Sequence, residues 1–425
     1  MKYVRFFTKI SLLLAYVGSM LLSCEKSPEM SFSTKNIIFE ACPDEELTFD
    51  ILSNVNWIIT VLPNDAWLTV DPKQGKGNVT ISLKAEENQQ FTERAVFLAI
   101  TGEGVNADTI KVIQTSAIDV ADVIEDEIFK IYCLREFDNS PKDGKLSLKE
   151  AKNALKISVR SLNISSLAGI EYFTNITELY CSSNDIKGLD LSKNKELKKL
   201  DCSNNPVNEI DVSDLVNLTE LFIDGMELQT VNLSKNTKLY WLSVSNNQLK
   251  TIELGNNKDL EILECNENLL TSLDLSKNLK LSGVFCVDNQ LTVLDISKNL
   301  SLMNLWCNNN QLVTLDISQN KELRRLSCAK NSLTGLNLSN NTALIQLMCD
   351  VNRIETLNVS KNTNLTDLRC TSNKLAGSID IRNNNLLKYL YLQNNPLLNE
   401  IWVWQGFNTK YENYQKDEAA KYIEK

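Results

Sequence analysis

Hydrophobic residues return along this chain with two distinct periods, and each period marks out a region. From residue 159 to 401 the pattern Leu-x-x-Leu-x-Cys-x-x-Asn-x-Leu-x-x-Leu-Asp-Leu-Ser-x-Asn-x-x recurs every 21 residues. Its cysteine rung falls at Cys181, Cys202, Cys265, Cys286, Cys307, Cys328, Cys349 and Cys370, with Ile223 and Val244 in the two remaining places. An asparagine rung follows three residues later, from Asn184 to Asn373, interrupted only by Met226. Ten units keep one register, a degenerate unit precedes them (Leu162 to Ile176), and another follows (Leu387 to Ile401) after a one-residue insertion near Gly377. A fixed period of this length means stacked coils, each burying its apolar side against its neighbours. In Leu179-Tyr180-Cys181 and its equivalents the alternation predicts a short strand with Leu and Cys inward and the middle residue outward. The asparagines are expected to bond backbone groups of adjacent turns. Met226 cannot, so the third coil is expected to be locally distorted.

Over residues 31–118 the apolar period is two. Val79-Thr80-Ile81-Ser82-Leu83 alternates, Ala95 to Ile100 is an apolar run of strand length, and Ile110 to Gln114 is a further strand. Breakers at Pro43, Pro63-Asn64-Asp65, Pro72, Gly75-Lys76-Gly77 and Gly102-Glu103-Gly104 separate the runs at the spacing of an all-β sandwich. Trp57 and Trp67 admit two readings: anchors between two sheets, or platforms on which sugar rings stack.

Between these regions, residues 119–158 read as a helical connector that caps the array. Val120, Ile124, Ile128 and Ile131 recur at helical spacing in Asp119–Glu136. The following stretch, Phe137 to Glu150, resembles an EF-hand loop with one residue inserted between Asp138 and Asp143, so that Pro141 occupies a ligand position. Ca²⁺ would take oxygens from Asp138, Asn139 or Ser140, Asp143, Ser147 and Glu150; the alternative is turn chemistry beside a helix cap. Residues 402–425 read as the closing cap, with Trp402 and Trp404 over the last coil and a polar helical tail from Tyr411 to Lys425.

Composition narrows the chemistry. The 425 residues hold 44 Lys and Arg against 54 Asp and Glu, a net charge of −10, and no histidine. The acidic balance argues against nucleic acid, which needs a basic footprint. The missing histidine removes Ser-His-Asp triads, Cys-His dyads, His-ligated zinc and imidazole bases. At the amino terminus Lys2, Arg5 and Lys9 precede the apolar run Ile10 to Leu22, so residues 1–23 read as an export signal. Leu21-Leu22-Ser23-Cys24 resembles a bacterial lipobox, which implies diacylation of Cys24 and a tether over residues 24–30. Glu25, where such families carry Asp for inner-membrane retention, points to the outer membrane and its external face. No disulfides are expected in the ladder, since equivalent rungs project side by side into the core as small hydrophobes; the pairing of Cys42 and Cys133 stays open.

Two family resemblances follow. Asn56-Trp57, Ala66-Trp67-Leu68-Thr69-Val70, Gly75-Lys76-Gly77, Asn88, Arg94-Ala95 and Ile113-Gln114 resemble the BACON domain, an immunoglobulin-like module of Bacteroidetes surface proteins. The repeats resemble the internalin-like leucine-rich arrays that carry a cysteine ladder. Together they imply an immunoglobulin-like β-sandwich followed by a leucine-rich solenoid with a curved parallel sheet, whose concave face binds partners. The outward row places Tyr180, Phe222, Trp241, Phe285, Trp306, Arg325, Met348 and Arg369 on that face, with Tyr389 and Tyr391 near its end. Large aromatics there are not needed for the core, and Trp, Tyr and Arg are frequent anchors of recognition. The expected function is non-catalytic capture of a protein, or of a glycan through these aromatics or Trp57 and Trp67. A remoter alternative is a polysaccharide-cleaving solenoid that uses the row Asp190, Asp211, Asp274, Asp295, Asp316 and Asp380.

Overall fold

Apolar alternation produces the sandwich strands, and the computed structural model describes them within residues 26–424, apart from residues 42, 44, 65, 89, 140, 141 and 409–411. The export signal, Cys24, Cys42 and Ser140 lie outside the described residues. The chain divides into two compact units at Ala117/Ile118.

The first unit has nine strands: β1 (Met30–Phe32), β2 (Asn36–Phe39), β3 (Leu47–Ser53), β4 (Asn56–Leu62), β5 (Leu68–Asp71), β6 (Gln74–Lys76), β7 (Val79–Ala85), β8 (Arg94–Gly102) and β9 (Val105–Gln114). They form two sheets, ordered β1-β3-β7-β5 and β2-β9-β8-β4-β6. All pairs are antiparallel except β2 with β9. Inward residues of both sheets, among them Phe49, Ile51, Ile81, Leu83, Val96, Leu98, Ile110 and Val112, share one core. The continuous apolar run Ala95 to Ile100 therefore alternates after all, with Leu98 fully buried and Phe97 exposed.

Trp57 and Trp67 both belong to this core, 1% and 3% exposed, so the structure removes the sugar-stacking reading for the pair. The Trp57 ring lies against Gly75, where an added Cβ would come within 2.5 Å of it, and its Nε1 donates to the Gly77 carbonyl at 3.0 Å. Arg94 covers the Trp67 ring with its guanidinium 4.8 Å from the centroid.

The second unit opens with three helices, α1 (Val120–Val123), α2 (Glu127–Phe137) and α3 (Leu148–Asn153). The expected apolar stripe holds only at its start. Val120 and Ile124 are buried, but Ile128 and Ile131 are exposed, and Phe129 and Cys133 are buried in their place. The reason is local: Asp126 accepts from the backbone N–H groups of Ile128 and Phe129 and starts a fresh helix, which resets the phase.

Thereafter one strand per coil builds a parallel sheet of thirteen strands, from Lys156–Ser158 to Tyr414–Gln415. Neighbouring coils pair residue for residue, 21 apart, from Glu178–Tyr180 to Asp367–Arg369. Leucine and cysteine rungs are buried, and every described cysteine is a free thiol, as the ladder reading requires. Burial pushes the Cys286 thiol up to about 12 and Cys181, Cys202, Cys307 and Cys328 upward likewise. Each asparagine of the first rung clamps two coils. Asn310 donates through Nδ2 to the carbonyls of Cys286 and Cys307 (2.9 and 3.2 Å) and accepts the Leu291 N–H at 2.9 Å. A second, fully buried row from Asn194 to Asn384, interrupted at Leu215, only donates, tying each coil to the one before: Asn299 Nδ2, for example, donates to the carbonyls of Leu275 and Asn278, while its Oδ1 accepts no hydrogen bond among the described residues.

At Met226 this clamp is lost. Val207 N–H turns to the Asn205 carbonyl, and Glu227 is left-handed (φ +57°) in addition to Gly225 (φ +60°). A Cβ at Gly225 would approach Asn204 Oδ1 to 2.5 Å and force that side chain to shift. The expected distortion is thus present but confined to the turn, for the strand Glu220–Phe222 keeps its register on both sides. The insertion near Gly377 appears as a bulge between Gly377 and Ser378, with Gly377 at φ +73°.

The closing segment corrects the expected helical tail. Tyr414–Gln415 and Lys421–Glu424 are strands that extend the coils in parallel. Phe407, not Trp402, plugs the last coil. It stacks on Tyr414 with ring centroids 4.9 Å apart, and Trp404 and Tyr422 pack around it. Trp402 instead lies beneath Arg382, 5.4 Å from its guanidinium.

Candidate functional site

Because Leu and Cys turn inward in every coil, two residues per strand are forced onto the solvent side of the sheet. The predicted row is there. Tyr180, Phe222, Trp241, Phe285, Met348 and Arg369 are half-buried, whereas Trp306 and Arg325 are exposed. What these side chains do differs along the sheet.

From Lys156 to Glu264 the outward groups satisfy one another. Lys156 pairs with Glu178 at 3.1 Å, Arg160 with Asp201 at 3.0 Å and Lys199 with Glu220 at 2.8 Å. Tyr180 carries both the Arg160 guanidinium (4.1 Å from its centroid) and the Lys156 ammonium (4.8 Å). Phe222 packs edge-on against Trp241 with centroids 5.2 Å apart, and Trp241 Nε1 donates to Glu264 at 3.0 Å. Tyr240 hydroxyl bonds to Glu220.

From Gly283 to Met348 this closure ends. Phe285 and Trp306 are direct register partners, with centroids 5.3 Å apart and rings at 80°. Gly283 makes room: a Cβ there would stand 3.1 Å from Phe285 Cε2, and the nearest atom of Ile262 is 4.0 Å away. Trp306 is 42% exposed, and its indole N–H makes no hydrogen bond among the described residues. The Arg325 guanidinium has a single long hydrogen bond, 3.4 Å to Asn304 Oδ1, and no carboxylate within 4.0 Å among the described residues. Beyond Met348 pairing resumes, with Arg369 bound to Asp367 at 3.0 Å and lying over Tyr391.

A third outward row, one residue after each cysteine, was missed in the sequence although its Ser, Asp, Asn and Thr residues recur visibly. Asp224 accepts from Ser243 Oγ and Ser245 N at 2.6 Å, Asn308 from Ser327 Oγ and Ala329 N, and Asp350 from Thr371. Burial pushes the Asp224 carboxyl above the usual carboxylate range. This row ties neighbouring strands together beside the aromatic row.

The other candidates resolve into framework roles. Asp138 accepts from the backbone N–H groups of Asp143 and Gly144 (3.2 and 2.9 Å), and Asp143 from Lys145. Glu150 accepts from Ser147 in a capping box and from Asn139 N–H at 2.9 Å. These are the bonds of a turn and a helix start, and no group of three metal-ligating side chains converges among the described residues. The Asp row works in the same manner. Asp190, Asp211, Asp274, Asp295 and Asp316 each accept the N–H of the serine two residues on, which holds their carboxyls below the usual range. Asp380 accepts from Arg382 N–H and pairs with its guanidinium. A general acid for glycoside cleavage needs the opposite shift.

Comparison with known proteins agrees with the two units. Residues 40–117 match the family described as a viral BACON domain. No curated protein matches the chain. Among solved structures, the functional domain of InlJ from Listeria monocytogenes, which includes a cysteine ladder, is 26% identical with a TM-score of 0.54, over 68% of this chain and 76% of that one. An internalin (inlF) of the same organism is 21% identical with a TM-score of 0.63, over 72% and 98%. A leucine-rich repeat protein of Leptospira interrogans is 22% identical with a TM-score of 0.57, over 64% and 74%. The chain therefore joins a sheet-rich first unit, similar to a BACON domain, to a parallel β-solenoid of the leucine-rich repeat fold.

Proposed function

We propose that this protein is a non-catalytic recognition protein whose solenoid sheet face binds a protein partner. The observation that carries the proposal is Trp306: it stands 42% exposed on Phe285 at a position the repeat framework leaves free. Exposed aromatic, Met and Arg side chains on a rigid sheet are the composition of an interface centre. A solenoid supplies that rigidity because every coil is fixed by both neighbours. The same proposal includes export, diacylation at Cys24 and display on the outer face of an outer membrane, supported by the lipobox resemblance and the absence of Asp at position 25.

The glycan alternative loses Trp57 and Trp67 to the sandwich core and keeps only the sheet-face rings. The test replaces Trp241, Phe285 and Trp306 together by Ala and compares partner capture by the parent and the variant. Capture should vanish while the unfolding midpoint changes little. Undiminished capture by a folded triple variant would move the site elsewhere.

A further inference from the structure

The outward side chains of the solenoid fall into a closed stretch and an open one, and only the open one has spare bonding capacity. In the closed stretch three cations of the sheet face have carboxylates, Lys156 with Glu178, Arg160 with Asp201 and Lys199 with Glu220. Trp241, too, gives its indole N–H to Glu264. In the open stretch the Phe285 and Trp306 rings have no polar partner among the described residues, and the Arg325 guanidinium on the next strand has, among them, only its long bond to Asn304. An unpaired guanidinium on this face is conspicuous on a chain whose net charge is −10. Met348, opposite Ser327 on the strand beyond, borders the patch with a deformable apolar side chain.

We infer that the stretch from Gly283 to Met348 is the anchor of the recognition face, and that its occupant is a protein segment presenting a large apolar side chain beside one or more carboxylates. This rests on the sheet face being the recognition surface. The apolar side chain seats on the Phe285–Trp306 edge-to-face pair, where the side-chain-free Gly283 leaves a depression next to the rings. The carboxylate accepts the two parallel N–H bonds that a guanidinium offers, which fixes orientation as well as charge. Phe222 and Trp241, whose edges and N–H are already used by the protein, take no direct part.

The test selects a phage-displayed random peptide library on the full chain and then measures the enriched peptides against variants by fluorescence anisotropy. Enriched peptides should carry Trp, Phe, Leu or Met within a few residues of Asp or Glu. Arg325→Glu should weaken those peptides by at least about tenfold and turn a fresh selection towards Lys and Arg, and Trp306→Ala should weaken them equally. Phe222→Ala should change affinity by less than about twofold. Far-UV circular dichroism and the unfolding midpoint confirm that each variant is folded. Failure to enrich any peptide, enrichment without acidic residues, or indifference to Arg325→Glu overturns the inference. If binding instead depends on Tyr180 or Tyr389, the anchor is misplaced but the recognition face stands; if no sheet-face substitution matters, both readings fall. Binding of an acidic glycan array through Trp306, with no peptide selected, likewise overturns the protein partner.

Discussion

Two stretches of one sheet, built on one repeat, differ in what they leave undone. Between Lys156 and Glu264 the framework carries its exceptions, with Ile223 and Val244 on the cysteine rung and Met226 on the asparagine rung, and the outward side chains close on each other through ion pairs and hydrogen bonds. Between Gly283 and Met348 both rungs are unbroken, and although Ser327 and Gln346 are hydrogen-bonded, the Trp306 indole and the Arg325 guanidinium stay open. An aromatic pair occurs in each, with almost equal spacing, 5.2 and 5.3 Å. Spacing therefore does not separate a framework contact from a site. The residual bonding capacity of the pair and its neighbours does: Trp241 has a carboxylate acceptor, whereas Trp306 is half in water beside an unpaired guanidinium. Exposed side chains that already satisfy each other gain little from a partner, while open ones gain both apolar burial and charge pairing.

The contrast can be attacked at several strengths. The largest effect belongs to the framework of the open stretch. Asn310→Ala removes the clamp on the Cys286 and Cys307 carbonyls and leaves the buried Leu291 N–H unpaired, so urea unfolding should show a loss of about 3 kcal/mol. A loss below about 1 kcal/mol would mean that the rung is dispensable and that regularity carries no stability. Next in size, Trp306→Ala should cost about 2 kcal/mol of partner affinity with little change in stability, against less than about 0.5 kcal/mol for Phe222→Ala. Equal losses would erase the distinction between the two pairs. Smaller and of opposite sign, Met226→Asn should restore the missing bonds to the Cys202 carbonyl and the Val207 N–H and raise stability by about 1 kcal/mol, read as a higher urea midpoint.

The smallest effect is electrostatic. The Asp190, Asp211, Asp274, Asp295 and Asp316 carboxyls are held down in the fold by the serine N–H groups they accept. Their folded pKa lies below the unfolded one, so their contribution is present above the unfolded carboxylate value and lost as pH falls through the folded one. Asp224, raised by burial, has the opposite sign: its contribution belongs to acid and fades as pH rises through the raised folded value. Urea midpoints measured from pH 6 down to pH 3 should fall, and Asp295→Asn, which keeps an acceptor for Ser297 without the charge, should flatten the slope. A midpoint that rises towards acid would show that Asp224 outweighs the turns.

Much of the fold was legible because it is periodic. A 21-residue repeat admits one stacking, and the two-residue alternation within Leu179-Tyr180-Cys181 settles which side chain faces water. Errors arose where a pattern was short or interrupted. Ile128 and Ile131 continue an apparent helical stripe from Val120, but the cap at Asp126 restarts the helix and turns Phe129 and Cys133 inward. Within residues 414–424, polar and without clear period, Tyr414–Gln415 and Lys421–Glu424 form strands because the last coil offers them unpaired edges. The EF-hand likeness of Asp138 to Glu150 reflects the shared needs of tight turns and helix starts, since backbone N–H groups take up the carboxylate oxygens. Trp57 and Trp67 show the same ambiguity in the sandwich: residue type allows a platform or an anchor, and packing against Gly75 and Arg94 makes them anchors.

The sequence by itself determined the stacking, the inward leucine and cysteine rungs, the buried free thiols and the aromatic and Arg residues of the sheet face, because these follow from period and from the alternation of Cβ directions. Only the tertiary structure decided which of those outward residues are already engaged. That depends on pairings between strands 21 residues apart, such as Trp241 with Glu264 and Phe285 with Trp306, whose distances no local pattern encodes.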